Sequence, residues 1–143
     1  MKTFILFILV LGALTLTSSL TPPITSAANV PKTERGVMQF SEPVTLMGMT
    51  LKGEYLFVHD DAAMARGEAC THVYEGTAEI QDKLVASFHC RPAIRARAER
   101  FTVRTELTPL GQYELKEYQF AGNVEAHRVP VNPHAGHVAI ALY

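Results

Sequence analysis

The feature that most constrains this chain is a series of short apolar runs, beginning at Val37 and broken every few residues by glycine or proline. Residues 37–40, 44–47, 49–51 and 54–59 follow one another, with Pro43, Gly48 and Gly53 among the breakers. Such runs are too brief for helices and suit the strands of an all-β domain. In Tyr55-Leu56-Phe57-Val58 both faces of a strand are apolar, which a period of two tolerates only where both faces are covered. That segment belongs in the interior of a sheet.

The stretch from His59 to Cys90 holds both cysteines and three of the six histidines. Residues 60–69 read as a loop with one helical turn over 62–66, capped by Asp61 and ended by Gly67. Two strands follow, 70–76 and 83–90, separated by a polar turn at 77–82. As a simple hairpin they oppose residues whose numbers sum to 160, which sets Cys70 against Cys90. In that register His72, Tyr74, Leu84, Ala86 and Phe88 share the cysteine face. The opposite face carries Thr71, Val73, Glu75, Val85, Ser87 and His89. The first set is the more apolar and is expected to face the core.

Residues 91–100 carry four arginines and read either as a short surface helix with Pro92 at its first position or as an extended connector. Residues 101–107 alternate, with Phe101, Val103 and Leu107 expected inward. A turn at 108–111 leads to a return strand over 112–121, whose apolar phase shifts as though bulged near Lys116 and Glu117. Residues 129–131 and 138–142 are weaker, edge-like strands interrupted by Pro130 and Pro133. About eight short strands without amphipathic helices between them imply an antiparallel β-sandwich or a partly open barrel.

Residues 1–27 read as a secretory signal: Lys2, an apolar run over 4–16, and small residues near 25–28 for cleavage. The run is about 13 residues, short of the roughly 20 that span a bilayer. Residues 28–36 are then a flexible leader and 37–143 a single domain of ordinary size. Export to the periplasm or the medium is expected, with no stable transmembrane segment after signal removal. The whole chain has 13 basic and 14 acidic residues; without Lys2 this becomes 12 against 14, a formal charge of −2. That balance argues against nucleic-acid binding, which needs many phosphate contacts.

Two cysteines in an exported chain are expected to pair. A Cys70–Cys90 disulfide would close a loop of about 20 residues and stabilise the fold by about 3 kcal/mol on the chain-entropy account. The alternative is a metal site, zinc or copper, drawing on His59, His72 or His89 with the cysteines. In an unbulged hairpin His72 and His89 point to opposite faces, so one ion cannot easily collect both. A third reading is a small hydrolase-like site at His59, Asp60, Asp61 and Glu68, set against a plain capping role for the aspartates. Arg91, Arg95, Arg97 and Arg100 form a candidate anion patch or a solvated connector. His127, His134 and His137 lie in the tail and receive no assignment. No nucleophile, metalloprotease or phosphate-loop motif occurs.

The strings Leu51-Lys52-Gly53-Glu54-Tyr55-Leu56-Phe57-Val58-His59-Asp60-Asp61, Gly67-Glu68-Ala69-Cys70-Thr71, Ser87-Phe88-His89-Cys90-Arg91-Pro92 and Tyr118-Gln119-Phe120-Ala121-Gly122 resemble a family of small exported bacterial proteins of unknown function. The likeness runs from about Phe40 to Pro130. It implies a small secreted β domain and brings no catalytic residue or cofactor. The expectation is therefore a non-enzymatic binding or envelope-associated module of unknown partner, stapled by its two cysteines.

Overall fold

The computed structural model describes residues 30–131. The expected signal, the strand at 138–142 and the histidines at 134 and 137 lie outside the described residues. Eight strands form one sheet: β1 (Thr33–Leu46), β2 (Met49–Asp60), β3 (Thr71–Glu75), β4 (Leu84–Phe88), β5 (Arg91–Ile94), β6 (Thr102–Leu107), β7 (Tyr113–Gln119) and β8 (Glu125–Arg128). A five-residue helix, α1 (Asp61–Ala65), joins β2 to β3.

The expected all-β architecture is the observed one, in its open-barrel form. The strands run in the order β4-β3-β2-β1-β7-β8-β5, with β6 paired to β7 as well. β7 therefore shares one edge between two partners: its start lies parallel to β1 at Val44–Tyr113, and its end antiparallel to β8. Every other pairing is antiparallel. The end strands of the path, β4 and β5, are consecutive in the chain and joined only by His89 and Cys90. A sheet whose first and last strands are two residues apart must curl back on itself, and it forms a half-barrel.

The four short runs before His59 are two long strands. β1 continues through Pro43 by a bulge between Phe40 and Val44, and β2 passes through Gly53, whose φ of +103° only glycine adopts readily. β1 also starts at Thr33, so part of the expected leader is ordered by pairing with the end of β2. As expected, Tyr55 to Val58 are buried in a strand flanked on both sides, Phe57 in the main core and Leu56 and Val58 in a second cluster with Tyr74.

The expected β3–β4 register is off by one. Thr71 pairs with Phe88, His72 with Ser87 and Val73 with Ala86, followed by a shift to Tyr74–Leu84. Thr71, Val73, Ala86 and Phe88 consequently share the core face. Cys70 lies just before β3, free of the alternation that the simple hairpin imposed on it. The bulge expected near Lys116 is present: Arg104 pairs with Glu117 and Thr105 with Leu115, which leaves Lys116 as the extra residue. Leu107, expected inward, is 63% exposed at the end of β6, where it pairs with Tyr113, itself exposed. The last described strand is Glu125–Arg128 rather than 129–131. Residues 91–94 are extended as β5, not helical.

Candidate metal centre

Where the curled sheet brings its ends together, four chemistry-bearing side chains meet. His59 comes from the end of β2, Cys70 from the residue before β3, Cys90 from the link between β4 and β5, and His127 from β8. Local structure holds each in place. Asp60 caps α1 by accepting from the N–H groups of Ala62 and Ala63, a role expected of Asp61, and its own N–H donates to the Cys70 carbonyl at 2.9 Å. That bond ties the end of β2 to the start of β3. Gly67, at φ +74°, turns the chain back after α1.

The group is dry. His59 and Cys70 are 0% exposed, His127 1% and Cys90 8%. The His59 and His127 rings lie 4.1 Å apart, centroid to centroid, beside Tyr118 and Phe120. His59, Cys90 and His127 each offer a ligand atom within 4.8 Å of the other two. Cys90 Sγ is 3.4 Å from His127 Nδ1 and 3.3 Å from Cys70 Sγ. Both cysteines are free thiols. The expected pairing is thus present as proximity, not as a bond, since a disulfide needs about 2.05 Å.

Two further observations concern the charge and hydrogen bonding of this group. Among the described residues neither nitrogen of His59, nor Nε2 of His127, has a hydrogen-bond partner. Buried polar nitrogens are normally satisfied, and the two Nε2 atoms, which unlike His59 Nδ1 have no carboxylate in ion-pairing reach among the described residues, require an explanation. The Cys90 backbone N–H donates to Cys70 Sγ at 3.3 Å, an arrangement that favours thiolate. The hydrogen bond from Cys90 draws the Cys70 thiol well below the ordinary range against the opposing effect of burial, with the His59 ring adding to it. The same bond, together with burial, pushes the Cys90 thiol up. Burial, and then the neighbouring His59, lowers His127 to about 4. At neutral pH its imidazole is uncharged, the form that ligates a metal.

His59, Cys90 and His127 lie close enough together to share one ion, with Cys70 against Cys90 at the edge of that set of three. Metal–sulfur bonds of about 2.3 Å and metal–nitrogen bonds of about 2.0–2.1 Å give tetrahedral edges of roughly 3.3–3.8 Å. The Cys90–His127 separation of 3.4 Å is close to the roughly 3.5 Å of a mixed sulfur–nitrogen edge, while the 3.3 Å between the sulfurs is shorter than the roughly 3.8 Å of a sulfur–sulfur edge, so the sulfurs would part slightly to take an ion. Outside the four, Asp61 Oδ1 stands 3.4 Å from His59 Nδ1, in ion-pairing reach, while Asp61 Oδ2 accepts from the Lys32 N–H.

The other sequence candidates do not join this group. His72 is half-buried, its ring stacked 6.5 Å from Tyr74, and His89 is half-buried in the β4–β5 link. Glu68 pairs with Arg66 at the surface, at 2.7 Å. Of the proposed acid–base set, only the Asp61 side chain pairs with His59, whose ring is 0% exposed and so offers no surface for a hydrolytic substrate. The arginines disperse: Arg95 binds buried Glu117 through two bonds of 2.9 and 2.7 Å, Arg97 donates to the Gly122 carbonyl, and Arg91 and Arg100 are exposed. His127 is the member of this group that sequence reasoning missed. Its spacing from Cys90 is long, and its neighbours Ala126 and Arg128 form no metal motif.

Fold and site together define a small half-barrel β domain with a buried thiol–imidazole centre. No protein-family model, curated protein or solved structure matches this chain. No helix among the described residues is long and apolar enough to cross a membrane.

Proposed function

We propose that this chain is an exported metal-binding β domain in which His59, Cys70, Cys90 and His127 hold one zinc ion. The observation that carries this reading is the convergence of two buried imidazoles and the Cys90 thiol within 4.8 Å of one another, with the Cys70 thiol against Cys90. Charge supports a divalent ion. Two thiolates cancel a charge of +2, whereas cuprous copper with both thiolates would leave a negative charge in a dry site, at a heavy desolvation cost. Four protein ligands, all buried, leave no open position for a substrate, so the ion's role is to hold the fold or to be stored, not to catalyse. Because the four ligands come from four places along the chain, bound metal fastens the seam of the half-barrel.

The test is zinc titration of the reduced protein against a chromogenic chelator. One zinc per chain, lost in Cys90→Ser and in His127→Ala, is expected. No uptake above that of both variants would refute the site.

The 3.3 Å sulfur separation favours a second reading, an oxidised Cys70–Cys90 staple in a metal-free binding or envelope module. Thiol titration of the protein recovered from outside the cytoplasm separates the two: two titratable thiols after metal removal support zinc, and none supports the staple.

A further inference from the structure

We infer that the centre is a hydroperoxide-responsive one, in which oxidation of its two sulfurs to a disulfide expels the metal. This rests on the zinc reading above and adds its regulation. The two sulfurs are 3.3 Å apart and need approach by only about 1.3 Å to reach bonding distance. Neither cysteine lies in a strand: Cys70 precedes β3 and Cys90 sits in the two-residue link between β4 and β5. Both side chains can therefore turn toward each other without breaking a ladder hydrogen bond.

Burial selects the oxidant. Disulfide exchange requires a second disulfide in line with the attacking sulfur, and a site with Cys70 at 0% and Cys90 at 8% exposure gives a bulky partner no approach. A hydroperoxide, whose reacting end is two oxygen atoms, needs no more than the small part of Cys90 that is open to solvent. The Cys90 sulfur, a thiolate while it holds the zinc and the less deeply buried of the two, attacks the terminal peroxide oxygen; the S–O bond forms, the O–O bond breaks, and the leaving oxygen departs as water or alcohol after taking a proton. The Cys70 sulfur then attacks the resulting sulfenic sulfur, forming S–S and breaking S–O, and hydroxide leaves as water with a second proton. In total two thiolates, one hydroperoxide and two protons give one disulfide, two molecules of water (or one of water and one of alcohol), and one released zinc ion. Two electrons pass from the sulfurs to the peroxide. The disulfide offers no thiolate, and two imidazoles alone hold zinc poorly.

The experiment uses the zinc-loaded full domain. Hydrogen peroxide is added in increments while released zinc, remaining thiols and intact mass are followed. The expected result is one zinc released and one disulfide formed per peroxide consumed, with loss of two hydrogens in mass, and zinc uptake restored by a dithiol. Oxidised glutathione should act at least tenfold more slowly; an equal rate would overturn the assignment of the oxidant. In Cys70→Ser the sulfenic acid on Cys90 should persist and be trapped by a dione; if that variant does not fold, the stoichiometry of the unmodified protein still decides. Zinc that leaves with sulfinate and no disulfide refutes the inference while leaving the metal site intact; zinc that stays bound while thiols are lost refutes both. A reduced protein that binds no zinc overturns both.

Discussion

Lowering the pH of the metal-free protein should destabilise it through His127. Its ring is enclosed by His59, Tyr118 and Phe120, with Cys90 Sγ against Nδ1 and no acceptor for Nε2. Glu34, Cys70 and Asp61 lean toward the charged form, yet burial and His59 prevail and bring it from 6.5 to about 4. The unfolded chain therefore binds a proton that the folded chain refuses, and stability must fall as pH drops between those values. At roughly 1.4 kcal/mol for each factor of ten in proton affinity, the full loss is about 3 kcal/mol, of which about 2 kcal/mol is reached by pH 5. Above about pH 7 the contribution is complete; below about pH 4 no more is lost. Set against a typical domain stability of about 5–15 kcal/mol, this is readily measured. Urea unfolding with a chelator present, at pH 7.5, 6 and 5, should show the decline in the unmodified protein, and His127→Leu should flatten it over the same range. Equal slopes for the two would refute the account of a buried, neutral His127.

Three further outcomes are expected. Gly36→Ala places a Cβ 2.3 Å from the Phe101 ring, which packs on Phe57 and Phe120, and should cost about 1–3 kcal/mol by urea unfolding, with Phe101→Leu relieving part of it in the double variant. Arg95→Ala leaves buried Glu117 with Arg128 at 3.5 Å as its remaining ion pair among the described residues and should cost about 2–3 kcal/mol at pH 7. Burial raises that carboxyl, but the Arg95 bond and charge, with Arg104 and Arg128, hold it below the usual range, so the stability it gives is lost as pH falls and the two proteins should converge in acid. Asp61→Asn should weaken zinc binding roughly 10–100-fold with the thiols unchanged, as the carboxylate that orients a ligating histidine is removed; unchanged affinity would exclude that role.

The β class was legible because short apolar runs and breakers report local geometry, and the doubled apolar faces at Tyr55 to Val58 report burial directly. The Lys116 bulge was legible for the same reason, since a phase change in apolar residues is a local signal. Strand lengths before His59 were not, because a bulge at Pro43 and a positive φ at Gly53 let long strands pass residues that usually end them. The hairpin register missed by one because hydrophobicity misled: Thr71 faces the core, where its hydroxyl bonds to that of Tyr118, while His72 and Tyr74 take the other face. Cys70, Cys90 and His59 stood out as a group in sequence. His127 could not, since its contact with Cys90 depends on β8 pairing with both β7 and β5, which no local pattern reveals.

The most direct test of the metal centre is X-ray absorption at the zinc edge on the reduced protein. Two sulfur scatterers at about 2.3 Å and two nitrogen scatterers at about 2.0–2.1 Å are predicted. A shell of oxygen and nitrogen alone, without sulfur, would contradict it.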